Sequence, residues 1–262
     1  MRTALKAPKP NSSNSSPVHV TILGTGDAFC SGGRHQSGYL IDTGRKRFLL
    51  EAGPAILATL KTHRIHADSL DVIVISHLHG DHFAGLPFLF LEFMYERPLK
   101  HQLVIAGPPR LEQRTWVLMR TMYPGFDLAQ IKRKLKFVTL RPGEIQRIAG
   151  ARVSAIRSPH TNPDVSLSVK LDLGSAKVVF SGDTGWNEEL LDFSAGANLM
   201  ICECTYYESS QFQFHINYPE LRRNRDRFNV GRMILTHIGR EVIERAPDID
   251  MEVAFDGMKL EI

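Results

Sequence analysis

The chain has 262 residues, 43% of them hydrophobic and 23% charged, with a formal net charge of +4. That length can bury a sizeable core unaided, the charge is too mild and too dispersed to argue for nucleic-acid binding, and no apolar run approaches the roughly 20 residues of a membrane span. Three cysteines, Cys30, Cys202 and Cys204, are too few for a disulfide framework and fit a reducing compartment. A cytoplasmic location is therefore expected.

Residues 1–17 are rich in Ser, Asn, Pro and Lys and lack the apolar middle of a signal peptide. They read as a disordered tail, with one domain over 18–262. VHVTILG is an apolar, β-branched strand ending in the GTG turn. SGYLIDTG and KRFLLEAG form a hairpin joined at Thr43-Gly44, and AILATLKTH has helical spacing. LDVIVIS is a buried strand that runs into HLHGDH. FAGLPFLFLEFMYE reads as one helix, HQLVIAG as a strand and RLEQRTWVLMRTMY as a helix. LKFVTL, ARVSAIRS, VSLSVKLDL and AKVVFSG have the period of strands. WNEELLDFS and YPELRRNRDRF read as helices around the strand NLMICECTY, and GRMILTH, MEVAFDG and MKLEI close the chain. Strands dominate, with helices in both halves, which suggests two sheets packed face to face with helices outside. Cys202 and Cys204 read as two strand residues on one face, with a metal role as the alternative.

The chemistry concentrates at His77, His79, Asp81 and His82. Residues two apart in an extended chain point the same way, so His77 and His79 can reach one point. Gly80 lets the backbone turn, and Asp81 and His82 then project from the corner. Four donors from one segment exceed what a single tetrahedral zinc takes from it and suit two ions side by side. A histidine-rich surface turn would not justify ending a buried strand in four polar groups. Other strand ends offer more ligands: IRSPH ends in His160, VVFSGDTG carries Asp183 and MILTH ends in His237.

These motifs, HLHGDH with His160, SGDTG and LTH in order, resemble the metallo-β-lactamase superfamily of binuclear hydrolases. The resemblance implies an α/β (α+β) fold, a four-layer αββα sandwich with the metals at one edge between the sheets. It implies that His77, His79 and His160 hold the first ion, that Asp81, His82 and His237 hold the second, and that Asp183 bridges both. The ions implied are two divalent metals, zinc first, with Mn²⁺ or Fe²⁺ as alternatives. ILGTGDAF, SHLHGDHFAGLP and ECTYYESSQFQFH are similar to the ribonuclease Z and cyclic phosphodiesterase branch. That likeness makes Asp81 and His215 the candidate catalytic residues, His215 assisting the leaving group.

The function implied is a phosphodiesterase that uses a metal-bridging hydroxide on a small or nucleotide-type phosphodiester. A thioester or lactam hydrolase on the same scaffold, and a non-hydrolytic iron-dependent oxidoreductase, are the alternatives. The span from His160 to Asp183 has room only for two strands and their turns, so the protruding arm of tRNA-processing relatives does not fit there. A structured tRNA is accordingly the less expected partner; a homodimer is expected from the resemblance, and a membrane partner is not. The chain departs from the family at Glu51, where Asp usually braces the metal loop. Arg34 and His35 are candidates for substrate contact, Gly24 and Gly26 for a turn beneath the site, Asp27 for an approach to the metal edge, and Ser76 and Thr236 for bonds to backbone or ligand nitrogens.

Overall fold

The computed structural model describes residues 17–208 and 213–262. The tail expected over 1–17 therefore lies, except for Pro17, outside the described residues. The strands are β1 (His19–Gly24), β2 (Gly38–Asp42), β3 (Arg47–Leu50), β4 (Val72–Val74), β5 (Leu103–Gly107), β6 (Leu135–Thr139), β7 (Ile145–Ile148), β8 (Ala151–Ser158), β9 (Ser166–Asp172), β10 (Lys177–Phe180), β11 (Ala197–Glu203), β12 (Val230–Thr236) and β13 (Lys259–Glu261). They form a seven-stranded sheet in the order β13-β1-β2-β3-β4-β5-β6 and a six-stranded sheet in the order β12-β11-β10-β9-β8-β7. In each sheet, parallel pairing is confined to part of the order: β3 to β6 in the first, β10 to β12 in the second.

Strand alternation explains why the sheets stack. Val20, Ile22, Tyr39, Ile41, Phe48, Leu50, Val72 and Val74 from the first sheet meet Val178, Phe180, Leu199 and Ile201 from the second in one buried cluster. The residues between them, Leu40, Leu49, Ile73 and Met200, point outward beneath helices. Helices α1 (Ile56–Thr62), α2 (Gly80–Phe83), α3 (Leu86–Leu91), α4 (Leu111–Met122) and α5 (Ala129–Lys132) belong to the first half. The second half carries α6 (Glu189–Ser194), α7 (Tyr218–Asn224) and α8 (Arg240–Glu244). Apolar residues of α1, α3, α4 and α5 cover the outer face of the first sheet, and those of α6, α7 and α8 cover the second. The result is the four-layer sandwich expected from the sequence. Cys202 and Cys204 lie in the outer apolar cluster of the second sheet as free thiols. No helix among the described residues is long and apolar enough to cross a membrane.

The segment read as one long helix from Phe83 to Glu96 is broken. Helix α2 stops at Phe83, α3 starts at Leu86, and a π-helical turn follows over Glu92–Glu96. The Gly85 N–H donates to Ala52 O at 2.8 Å, so the strand exit after β3 takes a bond that an unbroken helix would use internally. A Cβ at Gly85 would sit 2.3 Å from Gly53 O, so the close approach depends on glycine. Strand β7 and helices α5 and α8 are additional to the sequence reading. β7 is short and half-exposed at a sheet edge, so it lacks the alternation that marks a buried strand.

Candidate metal centre

Every candidate ligand lies just beyond the carboxyl end of a strand, on one edge of the sandwich. His77, His79, Asp81 and His82 follow β4, His160 follows β8, Asp183 follows β10 and His237 follows β12. Carboxyl ends of parallel strands are where open α/β sheets build sites. The chain brings all seven residues together. His77, His79, His160 and Asp183 form one group able to hold a cation, and Asp81, His82, Asp183 and His237 a second. Asp183 belongs to both. Its Oδ2 lies 3.3 Å from His82 Nε2 and from His237 Nε2, 3.7 Å from His160 Nε2 and 3.8 Å from His77 Nε2.

The rings are turned by bonds on their far nitrogens. His77 Nδ1 lies 3.0 Å from Ser76 Oγ, and His82 Nδ1 lies 3.1 Å from Glu51 Oε2. His160 Nδ1 donates to Phe214 O at 2.8 Å, and His237 Nδ1 donates to Thr205 Oγ1 at 3.0 Å. All four rings therefore present Nε2 to the centre. His79 is the exception, with Nδ1 facing His160 Nε2 at 3.1 Å. His77 Nε2, His82 Nε2 and Asp183 Oδ1 are buried without a hydrogen-bond partner among the described residues. Buried polar atoms are otherwise almost always paired, and imidazole nitrogens with carboxylate oxygens are a donor set for divalent metals. The residues present thus fit a pair of metal ions.

The electrostatics agree. Burial and the neighbouring His82 drive His77 well below the usual imidazole range, and burial holds His160 down to about 4. Burial also opposes charge on His82, but Asp183, Asp81 and Glu51 outweigh it and hold His82 well above that range. For Asp183, burial is outweighed by the surrounding imidazoles, so its carboxyl stays well below the carboxylate range. The carboxylates of the cluster thus favour positive charge beside them.

His215 lies at the same edge. Its Nδ1 is 3.0 Å from Glu203 Oε2 and 4.0 Å from Asp183 Oδ2, and its ring stacks on His237 at 5.3 Å. Burial opposes its charge, but the Glu203 carboxylate more than offsets this and raises it to about 9. Glu203 is fully buried; it accepts the Thr184 N–H and the Thr205 hydroxyl besides His215. Sequence reasoning left Glu203 and Thr205 unassigned. The available signal was an acidic residue closing an apolar strand, the same cue that marked Asp183.

The remaining candidates resolve into supports. Arg34 ties its loop to the rest of the fold: its guanidinium donates to Thr25 Oγ1 at 2.7 Å and to Ala254 O at 2.8 Å. The His35 N–H is held by Asp256, which also takes the N–H and hydroxyl of Thr25. Gly24 packs where a Cβ would fall 1.9 Å from Gln36 O, so GTG is a close-packed turn. Asp27 turns back on its own loop, accepting Phe29 N–H, Ser31 N–H and the Ser31 hydroxyl. Thr236 pairs with Tyr39 across the two sheets at 2.7 Å. Glu51 holds the metal loop, taking the Ser76 N–H at 2.7 Å as well as His82.

This fold and this edge define a metallo-β-lactamase-fold protein with a candidate two-metal centre. The chain belongs to the family of the anti-Pycsar protein Apyc1, whose signature matches residues 18–255. It is 26% identical over 227 residues to the probable metallo-hydrolase YhfI of Bacillus subtilis, covering 84% of this chain and 87% of that protein. It is 23% identical over 305 residues to ribonuclease Z of Methanosarcina acetivorans, covering 94% and 98%. The crystal structure of YhfI superposes with a TM-score of 0.76 over 94% of this chain and 100% of that one, at 23% identity. A diphosphatase from the PhnP family superposes with a TM-score of 0.75 over 94% and 98%, at 14% identity.

Proposed function

We propose that the protein is a metal-dependent hydrolase of small or nucleotide-type phosphodiesters. His77, His79, His160 and Asp183 would hold one divalent ion, and Asp81, His82, Asp183 and His237 a second, with zinc the first candidate. When bound, such ions supply Lewis acidity and lower the pKa of water from about 15.7 to about 7. The observation that carries the phosphodiester reading is the Glu203–His215 pair beside Asp183. An alkoxide expelled from phosphorus is strongly basic and needs a proton, whereas a thiolate expelled from a thioester does not. Glu203 holds His215 Nδ1–H, which leaves Nε2 as the atom that hands a proton to the departing oxygen. Asp81 Oδ2, 3.4 Å from His237 Nε2 and 3.1 Å from His82 Nε2, converges with those two nitrogens and would share the second ion with them. Ribonuclease Z and the PhnP-family diphosphatase among the similar proteins support phosphorus chemistry. Strands β9 and β10 with their turns fill the chain between His160 and Asp183, which supports a small substrate over a structured tRNA.

The test is a panel run on protein of known metal content: bis(p-nitrophenyl) phosphate, 2′,3′-cyclic nucleotides, a tRNA precursor, a thioester and a chromogenic β-lactam. The small phosphodiesters should be cleaved fastest. Turnover of the thioester or the lactam with no cleavage of any phosphodiester would overturn the reading.

A further inference from the structure

The formal net charge of +4 is unevenly spread. From Lys132 to Arg157 the chain carries eight lysines and arginines and a single acid, Glu144. All eight cations are exposed, and among the described residues Arg141, 4.0 Å from Glu144, is the one of them in an ion pair. They lie on the end of α5, on β6, β7 and β8 and in the turns between. β6 is an edge strand of the first sheet and β7 of the second, with β8 beside it. Gln146 Nε2 of β7 donates to the Thr139 carbonyl at the end of β6 at 2.8 Å, so the two edges adjoin. The fold therefore gathers on one flank of the sandwich cations that look scattered along the chain.

Folding gains nothing from this arrangement. In the pairing of β7 with β8, Arg147 stands directly opposite Arg152, and like charges at facing positions are destabilising. Asp172 of β9 faces Arg152 from the other side, but β7 has no further neighbour, so Arg147 has no carboxylate across from it. Exposed, unpaired cations gathered in this way attract a polyanion.

Beside them is a cavity of about 400 Å³, lined by Phe137 and Thr139 of β6, by Gln113 and Trp116 of α4 and by Arg110. Lys132 Nζ lies 5.0 Å from the centre of the Trp116 ring, so the cations reach the aromatic wall. Rings interleaved with amide, hydroxyl and cationic groups suit a flat heterocycle that stacks and hydrogen-bonds. An unpaired base can enter such a cavity. A base stacked inside a duplex cannot, and a lipid surface presents none.

We propose that the flank formed by β6, β7 and β8 binds a single-stranded nucleic acid, with its phosphates on the exposed cations and a base in the cavity of Trp116 and Phe137. None of these residues belongs to either ligand group of the metal centre, so the inference stands apart from the hydrolase reading.

The experiment measures fluorescence anisotropy of a labelled 2′-O-methyl single strand of about 12 nucleotides, within the span such surfaces cover, against the full-length protein at several salt concentrations. The same sequence as a duplex, and vesicles of phosphatidylserine and phosphatidylcholine, are run beside it. The single strand should bind, with log affinity falling linearly against log salt. Arg147→Gln/Arg152→Gln removes a repulsive pair and leaves the fold intact; it should make the salt slope shallower by about 1.4, for two lost phosphate contacts. Phe137→Leu keeps an apolar side chain but loses the ring; it should weaken binding by about 5–150-fold, the effect of losing one base stack, with the slope unchanged. Absence of single-strand binding at low salt would overturn the inference. So would a slope that the double variant leaves unchanged, a duplex bound as tightly as the single strand, or binding to vesicles alone.

Discussion

The two halves of the sandwich carry the same device at equivalent places. In the first, buried Glu51 at the exit of β3 accepts the Ser76 N–H and holds His82 Nδ1. In the second, buried Glu203 at the end of β11 accepts the Thr184 N–H and holds His215 Nδ1. Each pairs a carboxylate with one backbone amide from a neighbouring strand exit and one imidazole. They differ in what lies beyond the ring. The His82 side chain is 0% exposed and faces the cluster, whereas that of His215 is 18% exposed at the mouth. A carboxylate–imidazole pair sealed from water can only aim a ligand. The same pair open to solvent can exchange a proton with a substrate and recover it.

Asp183 is the one residue common to both groups, so its loss breaks the comparison most completely. Asp183→Ala should bind neither ion tightly and show no activity, as should wild type stripped by a chelator; elemental analysis and restoration of the stripped wild type by added Zn²⁺ check this. His215→Ala should keep both ions and lose about 10²–10⁴-fold in kcat on an alkyl phosphodiester, with less loss on a nitrophenyl leaving group. Glu203→Gln should lose about 10–100-fold on the same substrate with metal content unchanged. If Glu203→Gln instead emptied a metal group, the second device would be a ligand brace like the first.

The proton balance of the two metal groups should also differ. His77, His79 and His160 sit below the usual imidazole range, all three chiefly through burial, so they are neutral at pH 7 and ready to bind. His82 and His237 are raised despite burial, chiefly by Asp183, so an ion entering there competes with protons more than at the first group. Affinity at the second group should therefore fall more steeply as pH falls from 7 to 6, by at most about tenfold for each proton displaced. Affinity at the first should hardly change over that range. Zn²⁺ titrations at the two pH values test it. The smallest effect should come from the link between sheets: Tyr39→Phe leaves the Thr236 hydroxyl buried and unpaired and should cost about 1–2 kcal/mol, read from denaturant midpoints, with metal content unchanged.

The sheets and the seven clustered side chains were legible because both depend on local pattern. Alternation in LIDTG, FLLEAG and NLMICECTY is a property of a strand and its two faces, whatever it later pairs with. An apolar strand that ends in His, Asp or Ser-His announces a polar edge wherever it lies. The broken helix at Gly85 was not legible, because the bond that breaks it comes from Ala52, more than thirty residues upstream. Arg34 read as a substrate contact because a cation in a glycine-rich loop looks free. Its partner, the Ala254 carbonyl, is 220 positions away.

By itself, the sequence determined which side chains stand at strand ends and which faces are apolar, since burial every second residue is set within a strand. Only the tertiary structure decided which nitrogen of each histidine faces the centre, that Glu203 backs His215, and that Glu51 spans to His82 from a left-handed backbone. Those are choices of partner for buried polar groups. They are settled where strand exits from different parts of the chain meet, because a polar atom cut off from water must bond to whatever the packing brings within about 3 Å.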